Sequence, residues 1–89
     1  MSKSSYNKKP KRGKYTVIVI NDERNTFEHV TKCLREICGH NKLQAIQCTS
    51  IIHHTGKCNV YTDRYDVCTE VYSELLNEGL KVTIIKWNF

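Results

Sequence analysis

The sequence predicts a small α+β domain of order β-α-α-β-α-β, in which a three-stranded antiparallel sheet packs against three helices. Three observations carry that expectation. The run Tyr15 to Ile20 is dense in β-branched residues and apolar at most successive positions, the pattern of a central strand buried on both faces. Three later segments repeat apolar residues at helical spacing, and each runs into a glycine: Gly39, Gly56 or Gly79. No strand–helix–strand unit demands a parallel neighbour, so an antiparallel sheet with helices on one side is the simplest closure.

Taken in order, Lys14 to Ile20 form the first strand and Asn21 to Asn25 the turn after it. Asn25 precedes Glu28 by three positions, a capping-box pattern that predicts a helix starting near Thr26. Phe27, Val30, Cys33, Leu34, Ile37 and Cys38 form its apolar stripe. Asn41 with Gln44 opens the second helix by the same pattern, and Leu43, Ala45, Ile46, Cys48, Thr49, Ile51 and Ile52 are its expected packing surface. His53-His54-Thr55-Gly56 closes it. Lys57 to Tyr61 reads as a short strand. Thr62 or Asp63 caps a third helix through about Asn77, with Tyr65, Cys68, Val71, Tyr72, Leu75 and Leu76 on one side, and Leu80 to Trp87 is the last strand.

The 89 residues allow one domain with one core and little room for a deep catalytic cleft. Residues 1–13 read as a flexible basic extension and residues 14–89 as the folded unit. The formal charge of +5 divides unevenly along the chain. Lys3, Lys8, Lys9, Lys11, Arg12 and Lys14 make the first fourteen residues +6, which leaves the rest at −1. Such a tail suits nucleic acid, an anionic surface or an acidic partner. The folded part shows no basic face with interleaved aromatics, so nucleic acid is not expected as its partner.

No apolar stretch approaches 18 residues and no signal-peptide core follows the start, so no membrane contact is expected and the predicted setting is cytoplasmic, with an organelle stroma or a viral host cytoplasm as further possibilities. Cys33, Cys38, Cys48, Cys58 and Cys68 are odd in number and lack C-x-x-C spacing, which favours free thiols packed as small hydrophobes. Cys38, His40, His53, His54 and Cys58 match no familiar metal spacing, so no metal or cofactor is expected. No catalytic constellation is present, and the chain is not read as an enzyme.

The chemistry concentrates where the first strand ends in Asn21-Asp22-Glu23. Together with Phe27-Glu28-x-Val30, Ile52-His53-His54-x-Gly56-Lys57 and Val60-Tyr61-Thr62, this stretch resembles the ClpS adaptor family over about residues 14–85. The resemblance implies an adaptor that grips the free α-amino group of a polypeptide and delivers it to a ClpA- or ClpC-type AAA+ unfoldase of the Clp protease. It assigns the amine to Asn21, Asp22 and His53, with Glu23 and Asn25 at the rim. The first side chain would enter a pocket and gate formed by Phe27, Val30, His40, Thr49, Ile52 and Leu80. An ammonium is a compact cation with three donors and needs converging acceptors, which an amide oxygen, a carboxylate and a neutral imidazole supply. Without the resemblance, His53 reads as a histidine complementing a helix C-terminus, and the apolar residues as ordinary core.

The expected ligands are N-degrons beginning with Phe, Tyr, Trp or Leu. Phe27 and Thr49 stand where the family carries methionines, Asn25-Thr26 replaces Thr-Pro, Glu23 replaces an aspartate, and the Lys57–Leu80 segment is shorter than is usual there. These departures leave open a decoy that docks the unfoldase without cargo, and the basic run Lys8-Lys9-Pro10-Lys11-Arg12 leaves open a nucleic-acid-binding protein acting through the tail.

Overall fold

A computed structural model describes residues 14–86. The order is β1 (Tyr15–Ile20), α1 (Phe27–Glu36), α2 (Lys42–Thr55), β2 (Lys57–Asp63), α3 (Tyr65–Asn77) and β3 (Lys81–Lys86). The expected β-α-α-β-α-β succession is therefore observed. The basic extension and the Trp87 end of the last strand lie outside the described residues.

The sheet order is β2-β1-β3, both pairings antiparallel. β1 is thus the central strand, and Thr16, Val17, Ile18 and Val19 are all buried, as its unbroken apolar run predicts. Val17 and Val19 meet Val30 and Leu34 of α1, Ile52 of α2, Leu75 of α3 and Val82 of β3 in one core. α1 and α2 are further tied by the Thr31 hydroxyl, which donates to Thr49 Oγ1 at 2.9 Å.

β2 contains a bulge. Val17 faces Tyr61 and Ile18 faces Asn59, so Val60 is the extra residue on its strand. A bulge leaves its extra residue out of the ladder. The Val60 side chain turns into the core, and its carbonyl accepts a hydrogen bond from His40 Nε2 at 2.7 Å.

Three local expectations are corrected. The N-cap of α1 is Thr26, whose hydroxyl accepts from His29 N–H at 3.1 Å, while the Asn25 amide donates instead to the Gly79 carbonyl. A hydroxyl one residue nearer the helix satisfies the same orphan donors, which frees Asn25 for a long-range bond. α3 starts one or two residues later than predicted, with Arg64 at its N-cap, because β2 continues to Asp63. Along α2 only Ala45, Thr49 and Ile52 are buried, whereas Leu43 is 65% exposed and Ile51 45%. The Asn41–Gln44 capping box forms as expected.

Candidate functional site

The end of β1 and the end of α2 are brought together by one backbone bond. Past the Ile20–Lys57 pair, the ladder continues when Asn21 N–H donates to the Gly56 carbonyl at 2.8 Å. Gly56 caps α2 at φ +102°, a left-handed conformation that a side chain would strain. This cap reverses the chain so that the last turn of α2, with His53, stands beside Asn21. The C-terminal end of a helix carries partial negative charge, so the rim is favourable to a cation before any side chain is counted.

Beneath the rim is a cavity of about 20 Å³, lined by Val19, Ile20, Asn21, Asp22, Asn25, Thr26, Phe27, Val30, Thr49, Ile52, His53 and Leu80. Nine sequence-predicted positions thus meet around one cavity: Asn21, Asp22, Asn25, Phe27, Val30, Thr49, Ile52, His53 and Leu80. The volume holds about one water molecule, so a larger group enters only if a wall moves. Phe27 is the wall placed to do so. It is 42% exposed and also lines an open outer groove of about 620 Å³.

Two predicted positions lie elsewhere. His40 lines the outer groove with Phe27, held there by the bulge carbonyl of Val60, and does not reach the small cavity. Glu23 does not line the small cavity; it lines an adjoining open groove with Arg24, Leu76 and Lys81, which shares Asn21, Asp22 and Leu80 with the cavity.

The polar groups divide into engaged and free. Among the described residues neither the Asn21 amide nor the His53 imidazole has a hydrogen-bond partner. His54, its neighbour, is turned back on its own helix, with Nδ1 donating to the Ser50 carbonyl at 2.8 Å. The Asp22 carboxylate accepts from the Arg24 backbone N–H at 3.0 Å and pairs with its guanidinium at 3.1 Å. The Arg24 side-chain hydrogen bond holds the Asp22 carboxyl below its usual range, so it is anionic at neutral pH. Thr49 donates to the Ala45 carbonyl at 2.7 Å while accepting from Thr31, so the wall it forms offers no free donor. Asn25 reaches the Gly79 carbonyl at 3.1 Å and so holds the α3–β3 turn that delivers Leu80.

Sequence reasoning missed Arg24 and Thr26. A hydroxyl directly before the helix was a legible cap signal for Thr26. A basic residue two after an aspartate was the only hint of Arg24. The cysteines behave as packed hydrophobes: burial pushes the Cys33 thiol up to about 11 and those of Cys38 and Cys58 up to about 12. Thiols held protonated in this way are poor nucleophiles.

An acceptor-lined rim over a small apolar cavity, on a fold with one core, has the architecture of a compact binding module. Residues 10–83 match the family model described as ATP-dependent Clp protease adaptor protein ClpS. The chain belongs to the ClpS family of Clp protease adaptors. It is 34% identical over 67 residues to the ClpS adapter of Thermosynechococcus vestitus, spanning 74% of this chain and 71% of that one. It is 40% identical over 55 residues to the Neisseria meningitidis serogroup B adapter, spanning 60% and 53%. Its fold is that of Agrobacterium tumefaciens ClpS2, solved bound to L-phenylalaninamide, with TM-score 0.74 at 20% identity over 85% of this chain and 99% of that one. Among the described residues no helix is long and apolar enough to cross a membrane.

Proposed function

We propose that the cavity and its rim bind the amino-terminal residue of N-degron substrates, which the protein then delivers in the cytoplasm to a ClpA- or ClpC-type unfoldase. In this reading Asn21 and His53 accept hydrogen bonds from the free α-ammonium, and the Asp22 carboxylate supplies the field that favours it. The first side chain, Phe, Tyr, Trp or Leu, lies between Val30, Ile52, Thr49 and Leu80 once Phe27 swings toward the outer groove. The observation that carries the reading is the pairing of two unengaged acceptors, Asn21 and His53, with a neighbour, His54, whose Nδ1 is bonded to its own helix. L-Phenylalaninamide, the ligand of the structural relative, combines a free amine with an aromatic side chain and supports the same chemistry.

Magnitudes fit an adaptor that must release its cargo. Two charge-assisted hydrogen bonds contribute about 1.5–3 kcal/mol each, and burying a Leu or Phe side chain about 1.5–3 more. Association and ordering cost several kcal/mol. The favourable terms sum to about 4.5–9 kcal/mol before that cost, so the expected dissociation constant lies between micromolar and millimolar.

The test is binding of short peptides beginning with Phe, Tyr, Trp, Leu, Ile or Met, each free and N-acetylated. Acetylation removes the charge and two donors. Free Phe and Leu peptides are expected to bind at least about a hundredfold more tightly than their acetylated forms. Equal binding of both forms would refute the proposal.

A further inference from the structure

Outside the peptide-binding cavity, His29 and Cys33 stand one turn apart on the same side of α1, with His29 Nε2 and Cys33 Sγ 3.7 Å apart. The Glu78 side chain, from the turn after α3, completes a cluster in which one ligand atom from each residue lies within 4.8 Å of the others. The three border an open cavity of about 390 Å³ that Glu36 and Glu74 also line. Lys32 is the single basic residue among those lining it, against three glutamates.

We propose that His29, Cys33 and Glu78 form a binding site for a divalent transition metal, zinc by its donor chemistry. The spacing is the first argument. Zinc–nitrogen bonds near 2.0–2.1 Å and zinc–sulfur bonds near 2.3 Å place two tetrahedral ligands about 3.6 Å apart. The observed 3.7 Å matches that spacing without moving the helix, and binding requires only that the Glu78 carbonyl, now 2.8 Å in front of Nε2, turn away. The donor set is the second: imidazole with a thiolate selects zinc-like ions over magnesium or calcium. The exposed Glu78 side chain can close the remaining distance, and water from the open cavity takes the fourth position.

The proton balance is simple. His29 Nε2 now lies 2.8 Å from the Glu78 carbonyl and donates its proton there. On metal binding that proton shifts to Nδ1, the thiol proton passes to solvent, and the carbonyl on its exposed turn takes a water. The bound ion would staple α1 to the α3–β3 turn. That turn carries Gly79, which holds Asn25, and Leu80, which lines the peptide cavity, so the metal would stiffen the cavity from behind.

The test uses the reduced full-length chain titrated with cobalt(II) and then zinc(II). The expected result is a thiolate-to-cobalt charge-transfer band saturating at one equivalent and erased by zinc. The band should disappear in C33S and in H29Q, persist in C48S, and need about tenfold or more cobalt in E78Q. Zinc should raise the melting temperature of the native chain but not that of H29Q, a half-buried position where the variant keeps its fold. Absence of the band overturns the site. So does a band that H29Q and E78Q leave unchanged, even if C33S, at a buried position, loses it.

Discussion

The two halves of the peptide site are built on opposite plans. The rim is preset: Asn21 is fixed through its backbone to Gly56, the α2 terminus is aimed at it, and the Asn21 and His53 side chains have no partner among the described residues. The cavity below is small, at about 20 Å³, and Phe27 is the exposed hydrophobic in its wall. The backbone is held where the site would read charge, and the wall is adjustable where it would read shape. Under the proposed function, the amine would set whether a peptide binds and the Phe27 wall which side chain is accepted.

The largest expected effect lies at the rim. N21A and H53A each remove one charge-assisted bond, about 1.5–3 kcal/mol, so each should weaken a free Leu or Phe peptide by about ten- to 150-fold. Both side chains are exposed, so the melting curve should move little. H54A is the control. Its imidazole is bound to Ser50, and peptide affinity measured by fluorescence anisotropy should stay within about twofold of the parent. A matching loss in H54A would break the distinction between the two histidines.

At the gate, F27A should merge the small cavity with the outer groove. Leu peptides then lose a wall while Trp peptides gain room, and the ratio of the two dissociation constants should shift by about tenfold toward Trp. An unchanged ratio would mean that Phe27 does not set side-chain choice.

Next in size come the two asparagines that shared one sequence pattern. Asn41 forms its capping box, and N41A should cost about 1 kcal/mol of stability with peptide affinity intact. Asn25 bonds Gly79 instead, and N25A should cost a similar amount, about 0.5–1.5 kcal/mol, but also weaken binding by loosening the turn that carries Leu80. Denaturant melts and peptide titrations on both variants separate the roles.

The same pair shows what the sequence could and could not reveal. Alternation, β-branching and glycine stops are local signals, and they were enough to order six elements and to put β1 in the middle. The polar rim is not legible in that way: Asn21 and Asp22 mark a strand end and His53 a helix stop, but only the family resemblance joins them into one site. Asn25 was misread because capping depends on which neighbour reaches the helix first, and Thr26 is one residue closer. His40 was misplaced because the bulge that exposes the Val60 carbonyl depends on strand register, which no short window of sequence encodes. Leu43 and Ile51 were assigned to the packing surface of α2 by hydrophobicity alone, and the sheet leaves that side uncovered.

The smallest effect concerns Asp22, the one rim group already paired. Its carboxyl is held below the usual 3.8 chiefly by the side-chain hydrogen bond from Arg24, then by the Arg24 backbone N–H. A lowered folded-state value means that this pairing contributes stability above the unfolded value and loses it as pH falls through the folded one. In R24A the backbone bond remains and the guanidinium is gone, so the Asp22 titration followed by carbon-13 NMR should move up toward 3.8 without reaching it. The acid-unfolding curves of parent and R24A should differ slightly above pH 4 and converge at lower pH, because the Arg24 half of the pair is exposed to solvent and its net worth is small. At neutral pH, R24A should bind free peptides at least as tightly as the parent, because the freed carboxylate then offers its full field to the ammonium. A loss of affinity in R24A would show that the pair acts by positioning Asp22, and would move Arg24 from competitor to support within the rigid half of the site.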